Sequence, residues 1–147
     1  MSFTYKVFTP NMVDTYFQSY IKTIENLVPA GEQTQYDMKQ NLTKMLEQWS
    51  KVFVAVDDEI DEIVWTITVL IEQKLTRWWA KAAHLEELIT RKWWQGKGIW
   101  SQLMKQAITY AQSQNAYKII LDCDPSLVGF YKRFGFEQSE VMMRRYL

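Results

Sequence analysis

Residues 82–90 form a β-like run, residues 99–113 carry helical spacing, and between them lies Gln95-Gly96-Lys97-Gly98-Ile99. Residues 118–123 then form another apolar β-like run. A strand, a helix and a strand in that order make a crossover that lays the two strands parallel. Glycine reaches torsions and close approaches that a Cβ forbids, and the start of the next helix offers free N–H donors and a positive dipole end. Such a loop can hold an anionic ligand such as a phosphate. It can equally be a plain strand-to-helix turn, because short Gly-x-Gly stretches serve both purposes.

The rest of the chain sets the frame around that crossover. Residues 3–8 alternate and are rich in β-formers; Thr9-Pro10-Asn11 breaks them, and Met12, Tyr16, Tyr20, Ile24 and Leu27 follow at helical spacing. After the loop at 28–32, residues 36–49 place Met38, Leu42, Met45, Leu46 and Trp49 on one helical face. Residues 52–56 and 63–71 are β-branched runs around Asp57-Asp58-Glu59, the pattern of an antiparallel hairpin with a solvated turn. Consecutive turn carboxylates diverge and no His accompanies them, so no metal is expected there. Residues 125–134 read as a short helix opened by a proline, and 135–146 as a final strand. The expected order is β-α-α-β-β-β-α-β-α-β. That is a mixed α/β (α+β) domain spanning residues 1–147, with a mainly antiparallel sheet flanked by helices and one parallel crossover.

Composition excludes several functions. At 147 residues the chain has the size of one domain that buries roughly two-thirds of its extended surface. Seventeen Lys and Arg balance seventeen Asp and Glu, so no global field draws it to nucleic acid or an acidic membrane. The single Cys123 forms no disulfide within the chain and reads as a buried thiol in a reducing, cytoplasmic setting. No stretch approaches the roughly 20 apolar residues that span a bilayer, and residues 1–10 lack the layout of a signal peptide.

His84 is the only histidine, which disfavours a multi-His metal site and a Ser-His or Cys-His triad. A Walker loop is excluded because Gly98 stands where Ser or Thr must follow Lys97. The pairs Trp78-Trp79 and Trp93-Trp94 suit core or dimer packing better than base stacking in a chain of zero net charge. A loop of this kind places its ligand at the carboxyl end of the preceding strand, near Glu86, Glu87, Leu88 and Ile89. Leu121-Asp122-Cys123-Asp124 ends the neighbouring strand. Glu86 and Asp122 could meet in one cleft and hold or deprotonate an amine, with the Tyr131 phenol one helical step beyond. Taken singly, a capping carboxylate or a core tyrosine explains each of them.

These segments resemble the GNAT superfamily of N-acetyltransferases. Gln95-Gly96-Lys97-Gly98-Ile99 is similar to its Gln/Arg-x-x-Gly-x-Gly/Ala loop. His84-Leu85-Glu86-Glu87-Leu88, the run from Tyr117 through Asp124, and Val128-Gly129-Phe130-Tyr131-Lys132-Arg133-Phe134-Gly135-Phe136 resemble the branch that acetylates glucosamine 6-phosphate on the way to UDP-GlcNAc. The resemblance is strong from about Lys74 onward and faint but collinear before it. It implies acetyl-CoA as cosubstrate, with its pyrophosphate on Gln95, Gly96, Lys97, Gly98, Ile99 and Trp100 and its pantetheine along Leu88 and Ile89. It also implies Asp122 orienting or deprotonating the amine, Tyr131 protonating the leaving thiolate, and an N–H near Leu88 facing the oxyanion. Glu86 and Glu87 would line the sugar site. Lys74 and Arg144 or Arg145, from the same chain or a partner subunit, would hold the sugar phosphate in a homodimer.

Three positions depart from the family pattern. Trp100 stands where the loop ends in Gly or Ala, Leu127 where an Asn is usual, and Glu87 where an Asp is usual. Acetylation of another small amine and a non-catalytic CoA-binding dimer module are the competing readings.

Overall fold

The computed structural model describes residues 1–147. Five strands, β1 (Phe3–Val7), β2 (Lys51–Asp57), β3 (Glu62–Gln73), β4 (Lys81–Thr90) and β5 (Ala116–Ile120), lie in one sheet in sequence order. Pairings β1–β2, β2–β3 and β3–β4 are antiparallel, while β4–β5 is parallel. Four helices, α1 (Val13–Ile24), α2 (Gln35–Glu47), α3 (Ile99–Ser113) and α4 (Val128–Lys132), flank it. Fold class and crossover agree with the sequence pattern.

Both faces of the sheet are covered, which is why residues 52–57 of β2 and 63–69 of β3 are buried one after another instead of alternately. On one face Phe53, Trp65, Ile67 and Leu85 meet Ile99, Leu103, Met104 and Ala107 of α3. On the other Val52, Val54 and Val56 meet Val13, Phe17 and Tyr20 of α1 and Met38 and Leu42 of α2. Val13, Tyr16, Phe17 and Tyr20 recur at i, i+3, i+4 and i+7, so α1 turns a single stripe inward. Thr34 caps α2, its Oγ1 accepting from the Asp37 N–H at 3.1 Å.

Arg91, just past β4, ties the sheet to α1. It is 9% exposed and donates from Nε to Thr23 Oγ1 at 3.0 Å, from Nη2 to the Ser19 carbonyl at 2.7 Å, and from Nη1 to Glu62. That partner holds the Glu62 carboxyl below its ordinary value. A depressed carboxyl adds stability above its unfolded pKa and loses it as pH falls through the folded one. Arg91→Ala is expected to cost on the order of 2–3 kcal/mol at neutral pH in urea unfolding, with the deficit shrinking toward pH 3.

Several sequence expectations need correction. Residues 135–147 form no strand: they lie near the free edge of β5, but their backbone joins no ladder with it, and Gly135 and Phe136 make only turn hydrogen bonds. The strand expected at 118–123 begins at Ala116 and stops at Ile120, where β4 ceases to pair with it. Asp57 is no solvated turn residue: it ends β2, is 2% exposed and accepts from Trp94 Nε1 at 2.7 Å. Of the two tryptophan pairs only Trp94 packs against the core; Trp78, Trp79 and Trp93 are exposed, which removes the core half of the core-or-dimer expectation for them. Residues 125–134 split into a 3-10 turn, Pro125–Leu127, and α4.

Candidate active site

A break in strand pairing creates the site. β4 and β5 pair only as far as His84 and Ile120, although β4 runs on to Thr90, so the edge of β4 beyond His84 is open. On its other edge β4 carries a bulge: Thr66 faces Ile89 and Thr68 faces Glu86, leaving Glu87 and Leu88 opposite the single residue Ile67. Glu87 has φ +51°, a left-handed conformation that costs a non-glycine residue about 1–3 kcal/mol. Its carboxylate accepts from Thr68 Oγ1 at 3.0 Å, an anchor that holds the bulge in place. Bulges of this kind re-aim side chains beside active sites.

The glycine loop follows at the end of β4. Gly96 and Gly98 have φ +78° and +73°, torsions that explain both glycines, and Gly98 is the N-cap of α3 without any capping side chain. The N–H groups of residues 96–100 take no part in the backbone hydrogen bonds of the loop or of the α3 start. This is a ring of unmet donors at a helix N-terminus, with the chemistry of a pyrophosphate cradle. The Trp100 indole packs edge-on against Trp65, centroids 4.9 Å apart, and against Phe130 at 5.1 Å. Leu127, in the 3-10 turn, is 41% exposed.

A cavity of about 680 Å³ opens beside the seam and brings together Glu86, Asp122 and Tyr131 with His84, Cys123 and part of the tail. Burial, and then the Asp122 charge, raise the Glu86 carboxyl above its ordinary value. Tyr131 is the one buried residue of α4, and burial, with the nearby Cys123 and Asp122, lifts its phenol to about 12. It is therefore a protonated donor throughout the neutral range. Cys123 is half-buried and not fully enclosed: it lies on the cavity wall and packs against the core beneath α3.

The predicted substrate contacts separate. Arg144 Nη2 reaches Asp122 Oδ2 at 3.8 Å, whereas Arg145 makes no ion pair. Lys74 lies past the end of β3 with its ammonium 2.5 Å from Glu72 Oε1, and does not line the cavity. Glu87 likewise stays with Thr68 outside it.

Two participants were missed in the sequence. His84 lines the cavity, and its Nε2 is 2.9 Å from Glu72 Oε2, which Lys74 also engages. Strand alternation carried the signal for His84, since His84 and Glu86 are two apart on β4 and share a face. Glu72 needed the register: it lies opposite Ala82, diagonal to His84.

An open parallel seam, an anion loop at the next helix, and two carboxylates with a phenol at the seam define an acyl-transferring enzyme acting on an amine. Residues 17–145 match the acetyltransferase (GNAT) domain family, and the chain belongs to it. It is 29% identical over 133 residues to the glucosamine 6-phosphate N-acetyltransferase of Candida albicans, covering 87% of each chain. The Schizosaccharomyces pombe protein of the same name is 35% identical over 95 residues, 65% of this chain and 86% of the relative. The crystal structure of the glucosamine-6-phosphate N-acetyltransferase from Arabidopsis thaliana superposes with a TM-score of 0.90 at 21% identity over 99% of both chains. No helix is long and apolar enough to cross a membrane.

Proposed function

We infer that the chain transfers the acetyl group of acetyl-CoA to the amine of D-glucosamine 6-phosphate, giving N-acetyl-D-glucosamine 6-phosphate and CoA. The observation that carries this is the convergence of Glu86, Asp122 and Tyr131 on one cavity beside an unpaired strand edge. The pyrophosphate of acetyl-CoA lies on the unmet N–H groups of residues 96–100, and its pantetheine runs along β4 at Leu88 and Ile89. Both features suit that path: free N–H donors at the loop and an open edge on the strand.

Catalysis then needs three steps. The sugar ammonium loses a proton to Asp122, beside Glu86 in a cavity where carboxylates attract a cation. The amine lone pair attacks the thioester carbonyl and forms the C–N bond, while the open edge near Leu88 offers an N–H to the oxyanion. The C–S bond breaks as the Tyr131 phenol donates a hydrogen bond to the sulfur, and the thiolate takes up the second proton that the nitrogen sheds on becoming an amide. Of the two arginines, Arg144 is the better candidate for the sugar phosphate, being already held at the cavity by Asp122. Lys74 serves that phosphate only if Glu72 releases it.

A homodimer fits this assignment. Val141, Met142, Met143, Tyr146 and Leu147 are all exposed, an apolar tail without cover in the single chain, and a second copy supplies one. The single domain 1–147, with a free thiol at Cys123, suits the cytoplasm and a place in UDP-GlcNAc synthesis. The test is to mix the purified protein with acetyl-CoA and the amino sugar and follow free thiol, with sedimentation velocity on the same sample. Sugar-dependent CoA release from a dimer is the expected result. Release no faster than background, or equal turnover with amines lacking phosphate, would overturn the substrate assignment.

A further inference from the structure

The departure at Trp100 has a structural partner set. Its indole, on the first turn of α3, stands edge-on to Trp65 of β3, which is wholly buried, with interplanar angle 89°. On its other side it meets Phe130 of α4 at 5.1 Å and 78°. Phe130 in turn meets Tyr131 at 5.1 Å and 80°, and Tyr131 meets Phe136 at 6.0 Å. An unbroken run of edge-to-face rings therefore joins the sheet, the helix start that closes the glycine loop, and the phenol in the cavity. Edge-to-face rings have a preferred geometry and transmit position, unlike a generic apolar contact. Trp65 Nε1 is buried without a polar partner, so that indole is kept for its ring contacts and not for a hydrogen bond.

α4 has little else to fix it. It is five residues long, Tyr131 is its only buried residue, and its N-cap lacks a side-chain hydrogen bond. A Gly or Ala at position 100 would leave Phe130 facing empty space on the α3 side. We propose that Trp100 is a positioning residue for Tyr131: through Phe130 it ties the place of the phenol to the place of the glycine loop. The inference rests on the reading of Tyr131 as the donor to the leaving sulfur. It also places the Trp100 side chain behind the loop, so that only its backbone N–H faces the cofactor.

A double-mutant cycle decides it, measured as CoA release from the full-length protein with Trp100→Ala, Tyr131→Phe and both together. Trp100→Ala is expected to lower kcat by roughly tenfold or more while KM for acetyl-CoA stays within about twofold, because a small displacement of a reacting group is costly in rate and not in binding. In the Tyr131→Phe background the same substitution is expected to change kcat by less than about twofold, since no phenol remains to be placed. Trp100→Phe, which keeps a ring there, should restore most of the rate. Losses that multiply in the double variant would show that Trp100 acts independently of Tyr131 and overturn the inference. A Tyr131→Phe enzyme of full activity would overturn the reading beneath it as well. Should Trp100→Ala fail to fold, the cycle is run with Trp100→Leu and read by the same criterion.

Discussion

Replacing Tyr131 by Phe is expected to lower kcat on the order of tens of fold or more while leaving the affinity for acetyl-CoA near normal. The substitution removes one oxygen and keeps the ring, so its contacts with Phe130 and Phe136 persist and α4 keeps its place. What disappears is the phenol hydroxyl that, in the proposed reaction, faces the departing sulfur. Its elevated pKa of about 12 refines the role. A thiol near 8.5 is the stronger acid by several units, so complete proton transfer to a free thiolate would run uphill. In the proposed reaction the phenol acts as charge grows on sulfur, donating a hydrogen bond that strengthens as the C–S bond lengthens, and an interaction made only in the transition state shows in kcat. Single-turnover kinetics and calorimetry with CoA separate the two quantities. An unchanged kcat would remove Tyr131 from the mechanism.

Asp122→Asn is expected to lower kcat/KM for the amino sugar by roughly a hundredfold or more, in the range of a lost general base. Asparagine keeps the shape and loses both the charge that attracts an ammonium and the lone pair that takes its proton. A second readout distinguishes this from simple misfolding. The Asp122 charge adds to burial in raising Glu86, so its removal must move the Glu86 ionisation to lower pH, which carboxyl NMR follows. The Tyr131 phenol, raised in part by the same charge, must also fall from about 12. Wild-type turnover in Asp122→Asn would leave that carboxylate as no more than a partner for Arg144, 3.8 Å away.

Most of the frame was legible because it follows local rules. Periodicity identified every helix and the five strands that pair, and Gly96 and Gly98 marked the crossover because only glycine adopts their positive φ without strain. The errors fell where a neighbour decides. Residues 135–146 have the composition of a strand, but a strand exists only where its backbone joins a ladder, and this segment passes the free edge of β5 without pairing. Asp57 looked like turn acid until Trp94, 37 positions on, was found to donate to it.

The site divides along the same line. Sequence alone marked the loop, the carboxylates at the ends of two strands and the Tyr131 phenol as candidates, because each is a residue type at a fixed offset from an element boundary, while their expected roles came from the family resemblance. Only the tertiary structure decided that Glu86 and Asp122 share a cavity while Glu87 does not, since a bulge and a pairing that ends at His84 cannot be read from alternation. It also brought His84 and Glu72 together from adjacent strands, held Lys74 away, and drew Arg144 in. Trp100 belongs to both. Its identity broke the pattern of the loop, and the rings of Trp65 and Phe130, 35 and 30 positions away, give that residue its place. Side-chain contacts over such separations depend on how the sheet and helices pack, and local propensity carries no record of them.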